Sequence, residues 1–151
     1  MGRRVAGASR GCPACDGPLA RLILDTTVLV DAERGGGSLG RMIGDSDDVA
    51  IAAITVAELR VGVQMAEGRR RESRERFVAA IIDAVSVDAY DLDVAEAHAD
   101  LLAHVRREGT PRGAHDLIIA ATARARERQV VSLDRGGFAG LPGVSIAGGS
   151  G

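Results

Sequence analysis

RLILDTTVLVD, residues Arg21–Asp31, is the stretch that decides the fold. Leu22, Ile23 and Leu24 form a short apolar run that stops at Asp25. Two threonines follow, then a second apolar run, Val28–Val30. A run this short, cut off by an acid, reads as a buried strand turning into a helix. In open α/β sheets the carboxyl ends of strands face the crevice where ligands and chemistry sit. Three later stretches repeat the pattern of apolar segment plus acid: ITVAELR with Glu58, GAHDLIIAATA with Asp116, and VVSLD with Asp134. The expected fold brings these four carboxylates together around Asp25.

The 151 residues suit a single domain with one core. Hydrophobic residues make up 46%, but aromatics only 2%, so the core must be built of Ala, Val, Leu and Ile. Modules that bind nucleic acid by stacking bases on aromatic side chains are excluded for want of residues. The net charge of −2 hides a separation. All 19 cations are arginine, clustered at Arg69–Arg71 with Arg74 and Arg76, at Arg106 and Arg107, and at Arg124, Arg126 and Arg128. Arginine is suited to bidentate phosphate contact; each cluster reads either as that or as a solvated helix face.

Along the chain, Met1–Pro18 is rich in Gly, Arg, Cys and Pro without periodicity, and reads as a disordered extension. Its single Cys12-x-x-Cys15 has no second pair or suitably spaced histidines, so no structural zinc site is expected. No run is long enough to span a membrane, and the N-terminus has no hydrophobic signal core. A cytoplasmic protein with no membrane partner is expected. Strands are expected at Leu19–Leu24, Val49–Ile54, Val85–Val87, Val130–Ser132 and Val144–Ile146. Helices are expected at Thr27–Glu33, Leu39–Ile43, Thr55–Glu67, Arg70–Ala84, Leu92–Arg107 and Asp116–Glu127, with Gly68 closing the third. This alternation predicts a three-layer α/β/α domain over residues 19–147, with a parallel sheet of four to five strands. Residues 148–151 form a tail.

Each acid has an ordinary alternative. Asp25 is also a good helix N-cap. Thr55-Val-Ala-Glu58 fits a capping box. Asp116 suits a helix N-terminus, where the dipole favours negative charge. Asp134 before Gly136 and Gly137 suits a turn. Four acids, each at a strand end or helix start of one sheet, are harder to explain separately. Gly35–Gly40 satisfies G-x-G-x-x-G, but Asp31–Arg34 separates it from any strand, so a loop is the better reading than a dinucleotide site. Thr27 stands where a D-x-D phosphatase needs its second aspartate, and no phosphate-binding G-x-x-x-x-G-K-[ST] loop exists.

The ordered set LILDTTVLVD, ITVAELRVG, HDLIIAATA and VVSLDRGGFAGLPGV resembles the PIN-domain ribonucleases, specifically the VapC-type toxins of bacterial toxin–antitoxin pairs. The resemblance runs from about Leu22 to Ile146. It implies a PIN-like fold in which Asp25, Glu58, Asp116 and Asp134 are the acidic catalytic and metal-binding positions. Thr27 and Ser132 match hydroxyl positions that support the site. The implied cofactor is Mg²⁺ or Mn²⁺, the implied substrate RNA, and the implied products 5′-phosphate and 3′-hydroxyl ends. The implied partners are a cognate antitoxin, whose carboxyl-terminal segment would place an arginine or lysine in the acidic cleft, and a second copy of the chain in a homodimer. One departure stands out: many relatives carry a further acid just before the phenylalanine, where this chain has Gly137 before Phe138.

The chemistry agrees with the residue types. Clustered carboxylates need a counter-charge to stay ionised, and hard oxygen donors suit Mg²⁺ or Mn²⁺. Two other readings keep the fold: a PIN-like module that binds RNA or protein without cleaving, and a housekeeping nuclease with no antitoxin.

Overall fold

The computed structural model describes residues 19–148. The expected N-terminal extension Met1–Pro18, with Cys12 and Cys15, lies outside the described residues, as do residues 149–151. The elements run β1 (Arg21–Leu24), α1 (Thr26–Glu33), α2 (Ser38–Met42), β2 (Asp48–Ala52), α3 (Ala53–Gln64), α4 (Gly68–Ala84), β3 (Ser86–Asp88), α5 (Leu92–Glu108), α6 (Ala114–Ala125), β4 (Gln129–Val131) and β5 (Ser145–Ile146). All pairings are parallel, and the strand order is β3-β2-β1-β4-β5. This is the expected three-layer α/β/α architecture.

The apolar runs are continuous because the central strands are covered on both faces. Leu22 and Leu24 of β1, Ile51 of β2 and Val131 of β4 pack with Val28 and Leu29 of α1, Leu59 and Val63 of α3, and Val78 of α4. On the opposite face, Ile23 and Val130 pack with Val94, Leu101 and Val105 of α5 and with Leu117, Ile119 and Ala120 of α6. Each such aliphatic side chain contributes about 1.5–3 kcal/mol by leaving water. Helix α6 is apolar nearly all round because it is enclosed on most sides: Ile119, Ala120, Ala121 and Ala123 are fully buried.

The third helix differs from expectation. It starts at Ala53, directly from β2, with Ala52 at the cap and no side-chain cap hydrogen bond. Thr55 sits inside the first turn, fully buried, and among the described residues its hydroxyl has no hydrogen-bond partner. The capping-box reading of Thr55 and Glu58 is therefore wrong. With no loop after β2, the chain must turn at once if Leu59 and Val63 are to cover the sheet. Alanine, the best helix former, permits that start. Glu58 is thereby released from capping. Gly68 also differs: α3 stops at Gln64, and Gly68, at φ +56, opens α4 instead of closing α3.

The arginines at 124, 126 and 128 act as internal ties. Arg124 pairs with Asp100 at 3.1 Å, and Arg126 pairs with Asp91, the N-cap of α5. Arg128 is 7% exposed; its Nε donates to Asp88 Oδ2 at 2.8 Å, and its Nη1 lies 3.2 Å from Asp48 Oδ1. The same Nη1 donates to the carbonyl of Asp48 and reaches that of Leu22. One guanidinium thus joins β1, β2 and β3.

The sheet also fixes where chemistry belongs. From β1 the chain moves to β2 and β3 on one side, then crosses to β4 on the other. The reversal opens a crevice between β1 and β4 at their carboxyl ends, the position where α/β sheets bind ligands.

Candidate active site

Asp25 follows β1 and caps α1. Its amide donates to the carbonyl of Val131 at 2.9 Å, so the β1–β4 pairing continues to the edge of the crevice. The side chain is 3% exposed. Oδ1 accepts the Thr26 amide at 2.8 Å. Oδ2 accepts the hydroxyls of Thr27 at 2.8 Å and Ser132 at 2.7 Å. The hydroxyls are themselves held, since Thr27 Oγ1 accepts the Leu133 amide and Ser132 Oγ accepts the Asp134 amide. Asp25 is thus at once the cap of α1 and part of the crevice wall.

Glu58 comes from α3. Its Oε1 accepts the Thr26 hydroxyl at 3.2 Å and lies 3.6 Å from His115 Nδ1. Thr26 therefore links two of the acids, through its amide to Asp25 and its hydroxyl to Glu58.

Asp116 occupies the first turn of α6, and Asp134 follows β4. The two meet across Gly137. A Cβ built at Gly137 would stand 3.0 Å from Asp116 Oδ2 and 3.7 Å from Asp134 Oδ2. On its other side Asp116 Oδ2 lies 3.0 Å from the place of a Cβ at Gly113. The Asp116 carboxyl is pushed above the usual 3.8, first by burial and then by the charges of Asp25, Asp134 and Glu58; His115 acts in the opposite direction. Asp116 thus senses the charges of three acids that come from other parts of the chain.

This has a measurable consequence. Asp116 holds its proton more tightly folded than unfolded, so its contribution to stability is complete below the ordinary 3.8 and is lost as pH rises through the raised value. In metal-free protein, Asp116→Asn should therefore melt above the parent at pH 7. The gap should shrink as pH falls toward 4. Equal melting temperatures at pH 7 would show that the neighbouring charges do not load Asp116.

A crevice of about 460 Å³ joins these groups; its walls include Asp25, Thr26, Thr27, Glu58 and Asp116, with Val30 and Leu133 as apolar flanks. Asp134 stands outside this lining, beside Asp116 at its edge. Two further residues on the wall were not singled out from the sequence, Asp31 and Arg34. Asp31 follows Asp25 by six residues along α1, a spacing that gave no signal before the helix was placed. The glycine run is explained by it. Gly35, at φ +82, ends α1, and a Cβ at Gly36 would collide with the Asp31 carboxylate. Among the described residues Arg34 has no carboxylate partner, in contrast to Arg74, which pairs with Glu33.

The donor set fits a hard divalent cation: carboxylate oxygens with adjacent hydroxyls and, among the described residues, no thiol or close histidine pair. Burial first, and then the charges of Asp25, Asp134 and Glu58, raise the proton affinity of Asp116, an effect that a bound cation would oppose. Among the described residues no three such groups are gathered tightly enough to enclose a cation as they stand. Asp25, Glu58 and Asp116 share the crevice at wider spacing, with Asp134 at its edge.

The PIN domain family model matches residues 22–143. The chain is 34% identical over 124 residues to Ribonuclease VapC5 of Mycobacterium tuberculosis, covering 82% of this chain and 89% of that protein. It is 32% identical to Toxin FitB of Neisseria gonorrhoeae, covering 78% and 90%. The fold superposes on VapBC-5 from Mycobacterium tuberculosis, a member of the VapBC family of toxin–antitoxin systems, with a TM-score of 0.72, 30% identity, and 85% and 98% of the two chains covered. With the family model matching most of its length and a ribonuclease relative 34% identical across 82% of it, the chain belongs to the PIN-domain family, among the VapC ribonucleases.

Proposed function

We propose that this chain is the metal-dependent ribonuclease toxin of a toxin–antitoxin pair, hydrolysing RNA phosphodiester bonds at Asp25, Glu58, Asp116 and Asp134. The observation that carries the reading is the convergence of Asp25, Glu58 and Asp116 on one crevice, with Asp134 beside Asp116 at its edge. Membership among the VapC ribonucleases supports the substrate class.

The four carboxylates would hold Mg²⁺ or Mn²⁺. When bound, the cation supplies a more acidic water and offsets charge developing on the phosphate. The chain's own groups prepare the site. Thr27 and Ser132 fix Asp25 through its Oδ2, and Thr26 spans Asp25 and Glu58. No side-chain nucleophile is required. Water oxygen adds to phosphorus, the bond to the 3′ oxygen breaks, and that oxygen leaves with a proton. The products are a 5′-phosphate and a 3′-hydroxyl.

Acids alone repel RNA, so a cation must meet the phosphate backbone. Arg34, on the crevice wall, is suited to this. Arg34→Ala is expected to raise KM about ten-fold, the worth of one hydrogen bond to a charged group, and to leave kcat within a few-fold. The salt dependence of RNA binding should weaken by roughly 0.7 in log–log slope. A fall in kcat at constant KM would contradict a phosphate-holding role.

The cognate antitoxin is the proposed partner, in keeping with the VapBC structures the fold resembles. A guanidinium from its carboxyl-terminal segment can bridge two crevice carboxylates. A homodimer and a cytoplasmic setting are part of the same proposal; among the described residues no helix is long and apolar enough to cross a membrane. A second reading, an inactive module that binds RNA or protein, is favoured by one observation: Gly137 stands where the family resemblance implies a further acid. Incubating purified protein with a panel of structured RNAs, with and without Mg²⁺ or Mn²⁺, decides between them. Metal-dependent cleavage leaving 5′-phosphates is expected; binding without cleavage under every metal condition would establish the inactive module.

A further inference from the structure

Asp116 is confined by two backbone segments far apart in sequence. Gly113, before α6, and Gly137, in the turn after β4, both approach its Oδ2 to the point where a Cβ would lie 3.0 Å away. The residue preceding Gly113 is Arg112, and the residue preceding Gly137 is Gly136. Arg112 Nη1 donates to the Gly136 carbonyl, and Nη2 donates to the Ala139 carbonyl at 2.8 Å. One guanidinium therefore fastens the α5–α6 loop to the 135–139 turn on both sides of Gly137. The far end of that turn is anchored by Phe138, 1% exposed in the α5–α6 core. Its near end carries Asp134.

We infer that Arg112 is a positioning residue for the acidic site: its fork across the Gly136 and Ala139 carbonyls sets the spacing between Asp134 and Asp116, and Gly113 and Gly137 form the cradle that spacing requires. Among the described residues Arg112 pairs with none of the four carboxylates; its guanidinium is held by the Gly136 and Ala139 carbonyls. It acts through the backbone. Arginine suits the task because its planar fork meets two acceptors at once, whereas lysine presents a single point charge. Glycine at 137 follows from the same geometry. A side chain there enters the space between Asp116 and Asp134, so this chain trades a further acid for close approach of the turn to α6.

The inference rests on the metal-site reading, and two measurements separate them. In metal-free protein, Arg112→Ala should speed amide exchange at Phe138 and Ala139, whose N–H groups bond to the Arg135 carbonyl. Exchange in β1 and β2 should stay unchanged. By calorimetry, Mn²⁺ binding to Arg112→Ala should weaken about ten-fold, the usual effect of losing a group that orients metal ligands. Gly137→Ala, which leaves Arg112 in place, should weaken Mn²⁺ binding as well. The double variant should be little worse than the poorer single one, because both act on the same carboxylate spacing. Faster exchange with unchanged Mn²⁺ affinity would reduce Arg112 to a structural strap and overturn the inference, as would unchanged exchange. If Arg112→Ala fails to fold, Gly137→Ala decides: undiminished Mn²⁺ affinity overturns the cradle. A parent protein that binds no Mn²⁺ would refute the metal site, and with it the positioning role, leaving exchange to report only whether the strap exists.

Discussion

Asp25→Asn is expected to lower RNA cleavage by at least about a thousand-fold while the protein stays folded. A bound divalent cation is worth several kcal/mol of transition-state stabilisation, and each 1.36 kcal/mol is ten-fold in rate. Asp25 is the most enclosed of the four acids, at 3% exposure, and its two oxygens are held by three donors. Asparagine fills the same volume. Its carbonyl can still accept the Thr26 amide and cap α1. Its NH₂ then faces Thr27 and Ser132, whose hydroxyls can turn: Ser132 toward the Asp134 carbonyl, 3.2 Å away, and Thr27 toward Ser132, 3.3 Å away. The exchange loses charge-assisted hydrogen bonds, worth about 1.5–3 kcal/mol each at most, and relieves repulsion among the acids. Circular dichroism and thermal melting should therefore show a native fold. Cleavage within ten-fold of the parent would remove Asp25 from the site. Unfolding of the variant would make capping its main role.

Arg128→Ala is expected to cost about 3–5 kcal/mol of folding stability, the range for stripping one partner from a buried ion pair. The loss leaves Asp88 with 14% side-chain exposure and no cation. It also strips a donor from the carbonyls of Leu22 and Asp48. Against a total stability of about 5–15 kcal/mol for a domain, this is enough to endanger the fold at growth temperature. Urea unfolding of metal-free protein measures it. Arg124→Ala is the natural control: its pair with Asp100 is exposed, and exposed pairs contribute about 0–1 kcal/mol. Similar small losses for both would mean that the tie among β1, β2 and β3 holds little.

The sheet was legible because its strands are buried on both faces and stand out as unbroken apolar runs. Leu22–Leu24 and Val130–Val131 needed no long-range information to be read. The acids were legible for a related reason: each interrupts an apolar segment where the chain leaves the sheet. Their convergence was an inference from topology, and the charge felt at Asp116 supports it. Thr55 was misread because a capping signature is local, whereas the start of α3 is set by the need to cover β1 and β2. Arg128 and Arg74 could not be told from phosphate-binding arginines, since their partners Asp88 and Glu33 lie 40 and 41 residues away. Asp31, Arg34 and Arg112 gave no pattern at all. Their roles exist only once α1 aims at the crevice and two loops come together around Asp116.

The most direct test of a single four-acid site is a Mn²⁺ titration followed by amide NMR of the isotopically labelled chain. Paramagnetic broadening falls steeply with distance from the ion. The account predicts that the amides of Asp25, Glu58, Asp116 and Asp134 broaden together at substoichiometric Mn²⁺. Those of Glu72 and Glu75, acids on the outer face of α4, should stay sharp at the same concentration. Broadening at Glu72 and Glu75 before the four, or at one of the four alone, would contradict a shared metal site.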